Sequence, residues 1–150
     1  MYDLSIVQDE VGGGTTDIGQ IDVIREHPNA KSLIVSGLDQ ETFEYLIENY
    51  GKQKYFHFFF NQWVTDLWDM RSNENLRGLA IYGFSRLHTI DRIETAPCLE
   101  YFSVGDRVCP RMEIESLKPL VHSSVSHFSW WGKDLLLSLQ GKKAIGKRQG

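Results

Sequence analysis

Cysteine is scarce and long hydrophobic runs are missing in this 150-residue sequence. The two cysteines, Cys98 and Cys109, are too few for a disulfide-rich scaffold or a cysteine zinc site. No stretch approaches the roughly 18 apolar residues that a membrane-spanning helix needs. The first residues, MYDLSIVQDEV, have neither a basic start nor an apolar segment, so no signal peptide is expected. These absences predict a cytoplasmic protein without a membrane partner, or a fragment of a larger one.

Charge is spread unevenly along the sequence, whose formal net charge is −4. Residues 1–50 hold ten acids and two bases, whereas residues 111–150 hold three acids and seven bases. Nothing in this distribution resembles the basic stripe of a nucleic-acid-binding protein, so nucleic acid is not a predicted partner. The last ten residues, GKKAIGKRQG, are basic and poor in large apolar side chains. Residues 141–150 are therefore predicted to form a disordered basic tail.

A pair of apolar residues two positions apart recurs along the chain. The members of each pair share one face of a short strand, because side chains alternate along a strand. Six such pairs occur: Leu4/Ile6, Leu33/Val35, Phe56/Phe58, Leu79/Ile81, Phe102/Val104 and Phe128/Trp130. The four central pairs follow one another at intervals of 23 residues, and the outer intervals are 29 and 26 residues. A unit of this size cannot bury its apolar face alone and needs neighbouring copies.

The period, and the order L-x-x-L-x-I formed by Leu76, Leu79 and Ile81, resemble the leucine-rich repeat family. The family's Asn or Cys at the ninth position of each repeat occurs here only as Asn61. The resemblance implies an α/β leucine-rich repeat solenoid over residues 1–140, with parallel strands on its concave face and helices or irregular turns on its convex face. The alternative is an ordinary α/β domain in which the spacing is coincidental.

One convex-side helix is predicted in detail. Asp39 is a suitable N-cap, and Phe43, Leu46 and Tyr50 recur with helical spacing after it. Gly51 follows at a position that commonly ends a helix.

The residues between the apolar pairs are expected on the opposite, concave face of the sheet. An exposed sheet face is normally polar, yet several of these residues are aromatic. Such rings either pack on one another across strands or bind a partner, and an exposed apolar patch of this size favours binding. The candidate partner-binding residues are Tyr55, His57, Phe59, Tyr82, Tyr101, Ser103, His127, Ser129 and Trp131. The resemblance implies a non-catalytic scaffold for protein–protein interaction that binds a protein or peptide.

Two alternatives to this function stay open. Residues 12–17, GGGTTD, resemble the phosphate loop of actin-like and Hsp70-like ATPases, in which glycine amides and a threonine hydroxyl hold phosphate. The chain is too short for the two lobes of those ATPases and has no second motif, so phosphate or nucleotide binding ranks below peptide binding. The other alternative is a structural fragment of a larger repeat protein. No polar cap follows Leu139, which also predicts self-association through the last repeat.

No catalytic or metal site is predicted. His57 with Ser103, and His127 with Ser129, come nearest to a base and a nucleophile. No carboxylate stands at the middle position of the strands to orient a histidine. The histidines are scattered along the sequence, so neither a metal nor a cofactor is expected.

Overall fold

The computed structural model describes residues 2–8, 15–105 and 112–130. In this part of the chain, six strands form one parallel sheet in which each strand lies beside its neighbour in sequence. The strands are β1 (Leu4–Ile6), β2 (Ser32–Ser36), β3 (Tyr55–Phe59), β4 (Gly78–Tyr82), β5 (Tyr101–Gly105) and β6 (His127–Trp130). The protein therefore has an α/β fold, and the predicted parallel strands are confirmed.

The register of the sheet follows the repeat of apolar pairs. Leu33 lies beside Phe56, Phe56 beside Leu79, and Leu79 beside Phe102. The unequal outer intervals keep the same register, because Leu4 also lies beside Leu33. The additional residues of the longer repeats therefore lie in the connections between strands and do not shift the sheet by one residue, which would reverse its faces.

The connections contain two α-helices within the described residues, α1 (Ile18–Ile21) and α2 (Gln40–Tyr50). Short 3₁₀ segments cover Asp22–Glu26, Asp91–Thr95 and Lys118–Leu120. The predicted N-cap of α2 is confirmed, because the Asp39 carboxylate accepts a hydrogen bond from the Thr42 N–H at 2.9 Å. The fully described connection 60–77 contains turns and no helix, so the connections differ in structure although the strands match.

The core lies between one face of the sheet and these connections. Five apolar residues of the four central strands have no solvent exposure: Leu33, Val35, Phe58, Ile81 and Val104. Phe43 of α2 packs its ring against Phe58, with the ring centres 5.1 Å apart. Burial decreases at the two outer strands, where Leu4 and Phe128 are only partly buried. The predicted assignment of the two faces is confirmed.

Asn61 is a polar residue inside this core and has no solvent exposure. Its side-chain oxygen accepts a hydrogen bond from the Leu38 N–H at 2.7 Å, and its amide nitrogen donates to the Val35 carbonyl at 3.3 Å. Buried backbone groups need such partners, because they have lost their bonds to water. Asn61 thus links the segment after β3 to the end of β2.

No helix among the described residues is long and apolar enough to cross a membrane. The predicted tail at residues 141–150 and the end of the last repeat around Leu139 lie outside the described residues.

Candidate functional site

The second face of the sheet is open and carries the predicted binding residues; we call it the exposed sheet face. Tyr55 and Tyr101 have accessible rings, with 37% and 48% of their surfaces exposed. His57, Phe59, Tyr82 and Ser103 are partly buried, and His127 and Ser129 are exposed. The alternation of side chains brings these eight residues to one face. The ninth candidate, Trp131, lies outside the described residues.

The aromatic side chains of this face do not form one stacked row. Gly78 of β4 lies between Tyr55 and Tyr101, which are therefore two strands apart. Tyr101 instead stacks on His127, with ring centres 4.7 Å apart, whereas Tyr82 makes an edge contact with His57 at 5.2 Å. The register thus divides the rings into separate groups.

A cleft of about 800 Å³ crosses this face from Tyr2, next to β1, to His127 of β6, and Tyr55 and Tyr101 are among its lining residues; we call it the aromatic groove. Gly78 of β4, which has no side chain, and Ala80, which has only a methyl group, line it between Tyr55 of β3 and Tyr101 of β5. The Tyr55 ring leans over Gly78, because a Cβ atom there would lie only 2.6 Å from Cδ1 of Tyr55. The volume is typical of a site that receives a ligand or a peptide side chain. The small residues of the middle strand therefore allow the Tyr55 ring to lie over Gly78 and leave Ala80 accessible within the groove.

Hydrogen bonds connect the polar groups of the face. The Tyr82 hydroxyl bonds with Ser103 Oγ, which lies 2.7 Å from Ser129 Oγ. Tyr2, which sequence reasoning missed, shares a hydrogen bond of 2.5 Å with Nδ1 of His57. Burial lowers the pKa of the His57 imidazole. The pKa of the Tyr2 hydroxyl is raised, mainly by burial and to a smaller extent by the negative charge that Tyr82 carries when ionised. The Tyr2 hydroxyl and the His57 imidazole are therefore neutral near pH 7 and suited to holding the two rings in place.

Tyr2 could not be assigned to this face by alternation. It has the same parity as Leu4 and Ile6, which belong to the buried face. β1 begins only at Leu4, so the chain at Tyr2 does not follow the strand rule. The sequence carries no separate signal for this contact.

The geometry does not assemble a base and a nucleophile from the two histidine–serine pairs. In the described network, Ser103 and Ser129 bond with each other, while Nδ1 of His127 lies 3.0 Å from Ser126 Oγ. His57 bonds with the Tyr2 hydroxyl. Across the described ranges, no group of three histidine, cysteine or acidic residues could hold a metal ion.

Two side chains of the GGGTTD motif have structural partners. Thr16 is buried, and its hydroxyl donates to the Ser36 carbonyl at 2.7 Å. The Asp17 carboxylate caps α1 by accepting from the Gln20 N–H at 2.8 Å. Residues 12–14 lie outside the described residues. Two of the three described residues of the motif, Thr16 and Asp17, are thus bonded within the fold.

Phe60 is a second exposed aromatic residue that sequence reasoning missed. It follows β3 directly and has a φ of 52°, while the matching residues after β2 and β4 are Gly37 and Gly83, with φ of 74° and 73°. A left-handed conformation costs a residue with a side chain about 1–2 kcal/mol, which glycine avoids. The turn directs the ring outward, where it is 48% exposed. Aligning the repeats would have marked this position, because the preceding and the following repeat both have glycine there, at Gly37 and Gly83.

No protein-family model, no curated protein and no solved structure matches this chain. The function is therefore inferred from the geometry and chemistry of the exposed sheet face.

Proposed function

We propose that this chain is a divergent leucine-rich repeat solenoid that binds a protein or peptide without catalysis. In this proposal the exposed sheet face is the concave surface of the solenoid, and the aromatic groove is the centre of the binding site.

The regular repeat supports the solenoid part of the proposal. Neighbouring strands in the sheet are neighbours in sequence, and matching residues of the four central strands are 23 positions apart. The hydrogen bonds of Asn61 run back to Leu38 and Val35 of the preceding repeat. A residue that joins adjacent repeats in this way is what the family's Asn position provides.

The observation that carries the binding proposal is the groove between Tyr55 and Tyr101. Both rings are accessible, although burying an aromatic ring stabilises a folded chain. Tyrosine is enriched at protein interfaces, because its ring offers a large contact area and loses few degrees of freedom on binding. Filling the groove should therefore abolish binding without unfolding the protein.

Ala80→Trp tests this proposal, because Ala80 lies at the centre of β4 and lines the groove. The matched control is Glu94→Trp, which adds the same ring to an exposed residue of the 3₁₀ segment Asp91–Thr95. Each protein is immobilised, and the proteins that it captures from a cell extract are compared by mass spectrometry. Partners of the wild type should be retained by Glu94→Trp and lost by Ala80→Trp, with similar thermal unfolding of all three. Equal capture by both variants would contradict the proposal.

A further inference from the structure

We propose that the aromatic groove selects acidic peptides: an aromatic or aliphatic side chain enters between Tyr55 and Tyr101, and neighbouring carboxylates meet Lys31 and Lys54. This inference rests on the proposed function and adds the chemistry of the partner.

The two lysines stand side by side at one end of the groove. Each directly precedes a strand, Lys31 before β2 and Lys54 before β3, and the Lys54 N–H donates to the Lys31 carbonyl at 2.8 Å. Both residues line the groove. The Lys54 ammonium lies 5.6 Å from the centre of the Tyr55 ring, on the wall of the groove. A positive charge is therefore held next to the surface that would receive an apolar side chain.

The lysine charges have no ion-pair partner within the described residues. The ion pairs there are Arg25 with Asp22 and Arg71 with Asp69, both away from the groove. A peptide carboxylate would thus not have to displace an existing ion pair among the described groups. Ion pairs at the rim of an interface mainly determine partner choice and association rate, which is the role proposed for these lysines.

Asp3 is the acidic residue that lines the groove, and its carboxylate is engaged by the backbone. It accepts hydrogen bonds from the N–H groups of Lys31 at 2.8 Å and Ser32 at 3.2 Å. The bond from the Lys31 N–H is the main cause that lowers the pKa of Asp3, and the Lys31 ammonium adds the smallest contribution. Asp3 offsets part of the Lys31 charge, so Lys54 is the stronger of the two carboxylate contacts.

The basic row continues to Arg77, but of its three members only Lys31 and Lys54 line the groove, which gives the site a direction. The matching residue of the next repeat is Arg77, whose guanidinium donates to the carbonyls of Glu74 and Cys98. Glu100 occupies the same position one repeat later. We therefore expect the peptide carboxylates on the Tyr55 side of the groove, away from this acid. Lys31 is one of only two bases in residues 1–50, which hold ten acids.

The test is a selection of short random peptides displayed on phage against the immobilised full chain. Selected peptides are then synthesised, and their binding is measured by fluorescence anisotropy to the wild type, to Ala80→Trp and to the double variant Lys31→Glu/Lys54→Glu. The control is Lys52→Glu, which reverses one charge, half of the change in the double variant, at an exposed residue outside the groove. Thermal unfolding of each variant verifies that it is folded.

We expect the selected peptides to combine aspartate or glutamate with an adjacent aromatic or aliphatic residue. The lysine double variant should bind them at least about tenfold more weakly, because attraction becomes repulsion, and added salt should weaken wild-type binding. Lys52→Glu should bind like the wild type. Ala80→Trp should not bind them at all.

The other outcomes separate the inference from the proposed function. Peptides that depend on Ala80 but lack acidic residues, or that bind the lysine double variant and Lys52→Glu equally, would overturn the inference and leave the binding function standing. Undiminished binding to Ala80→Trp, or no selected peptide, would overturn both. Binding of a single-stranded oligothymidine that Ala80→Trp abolishes would point to nucleic acid and also overturn the inference.

Discussion

Asn61 offers a direct test of how the repeats are held together. Its replacement by alanine removes the acceptor that lies 2.7 Å from the Leu38 nitrogen and the donor that lies 3.3 Å from the Val35 carbonyl. Neither Asn61 nor Leu38 is exposed to solvent, so water cannot replace the lost bond to the Leu38 N–H without rearrangement.

The expected loss of stability follows from these contacts. A buried backbone group left without a partner costs about 1–3 kcal/mol. The bond to Val35 is long and contributes less, so we expect Asn61→Ala to lose about 2 kcal/mol in the free energy of unfolding. For a domain of about this size, the midpoint of thermal unfolding should decrease by about 4–8 °C. The control is Asn75→Ala, at an exposed turn residue, which should remain within about 0.5 kcal/mol of the wild type.

Asn61→Asp adds a dependence on pH that a merely destabilising change would lack. Burial raises the pKa of the new carboxyl above its unfolded value of about 3.9. When protonated, this carboxyl can accept from the Leu38 N–H and donate to the Val35 carbonyl, as asparagine does. The stability deficit relative to the wild type should thus be smallest below the unfolded pKa and grow as the pH rises through the folded pKa.

The measurement is urea unfolding of the wild type, Asn61→Ala, Asn61→Asp and Asn75→Ala at several pH values. Equal stability of Asn61→Ala and Asn75→Ala would refute the role of Asn61 between repeats. A deficit of Asn61→Asp that does not shrink on acidification would refute the hydrogen-bonding account.

Three further predictions follow from the faces of the sheet and from the GGGTTD motif. Leu79→Ala should cost about 2–5 kcal/mol in urea unfolding, because Leu79 is only 2% exposed, and Tyr82→Ala should cost less; equal losses would mean that the faces are reversed. His57 should titrate below its usual pKa of 6.5 by NMR, because burial disfavours the imidazolium. As the pH falls, the unfolded state binds the proton before the folded state does, so the free energy of unfolding should decrease as the pH falls through about 6.5. His57→Gln should lack this pH dependence. A pKa of 6.5 or higher for His57 in the folded protein would contradict its burial. Calorimetry with ATP and magnesium should show no heat of binding at millimolar nucleotide, whereas micromolar binding lost in Thr15→Ala would restore the phosphate-loop alternative.

The sequence alone determined the strands and their order in the sheet, because the alternation of apolar residues that buries one face of a strand is visible within each short segment. Pairs such as Leu33/Val35 and Phe56/Phe58 specify both the strand and the face that it buries. Their equal spacing predicted parallel neighbours in register, since each repeat must cover the apolar face of the one before it. The cap at Asp39 was also readable, because an N-cap depends on residues only three positions apart.

The tertiary structure alone decided how the exposed residues combine into a site. Alternation and the 23-residue spacing already place Tyr55, Gly78 and Tyr101 side by side, but only the folded structure shows how their side chains and those of the other strands enclose a groove. The contact of Tyr2 with His57 joins residues 55 positions apart, and the ring of Phe60 turns outward where the strand rule has ended. Burial of an apolar face depends on the period of one segment, whereas a groove depends on the side chains that several strands bring together.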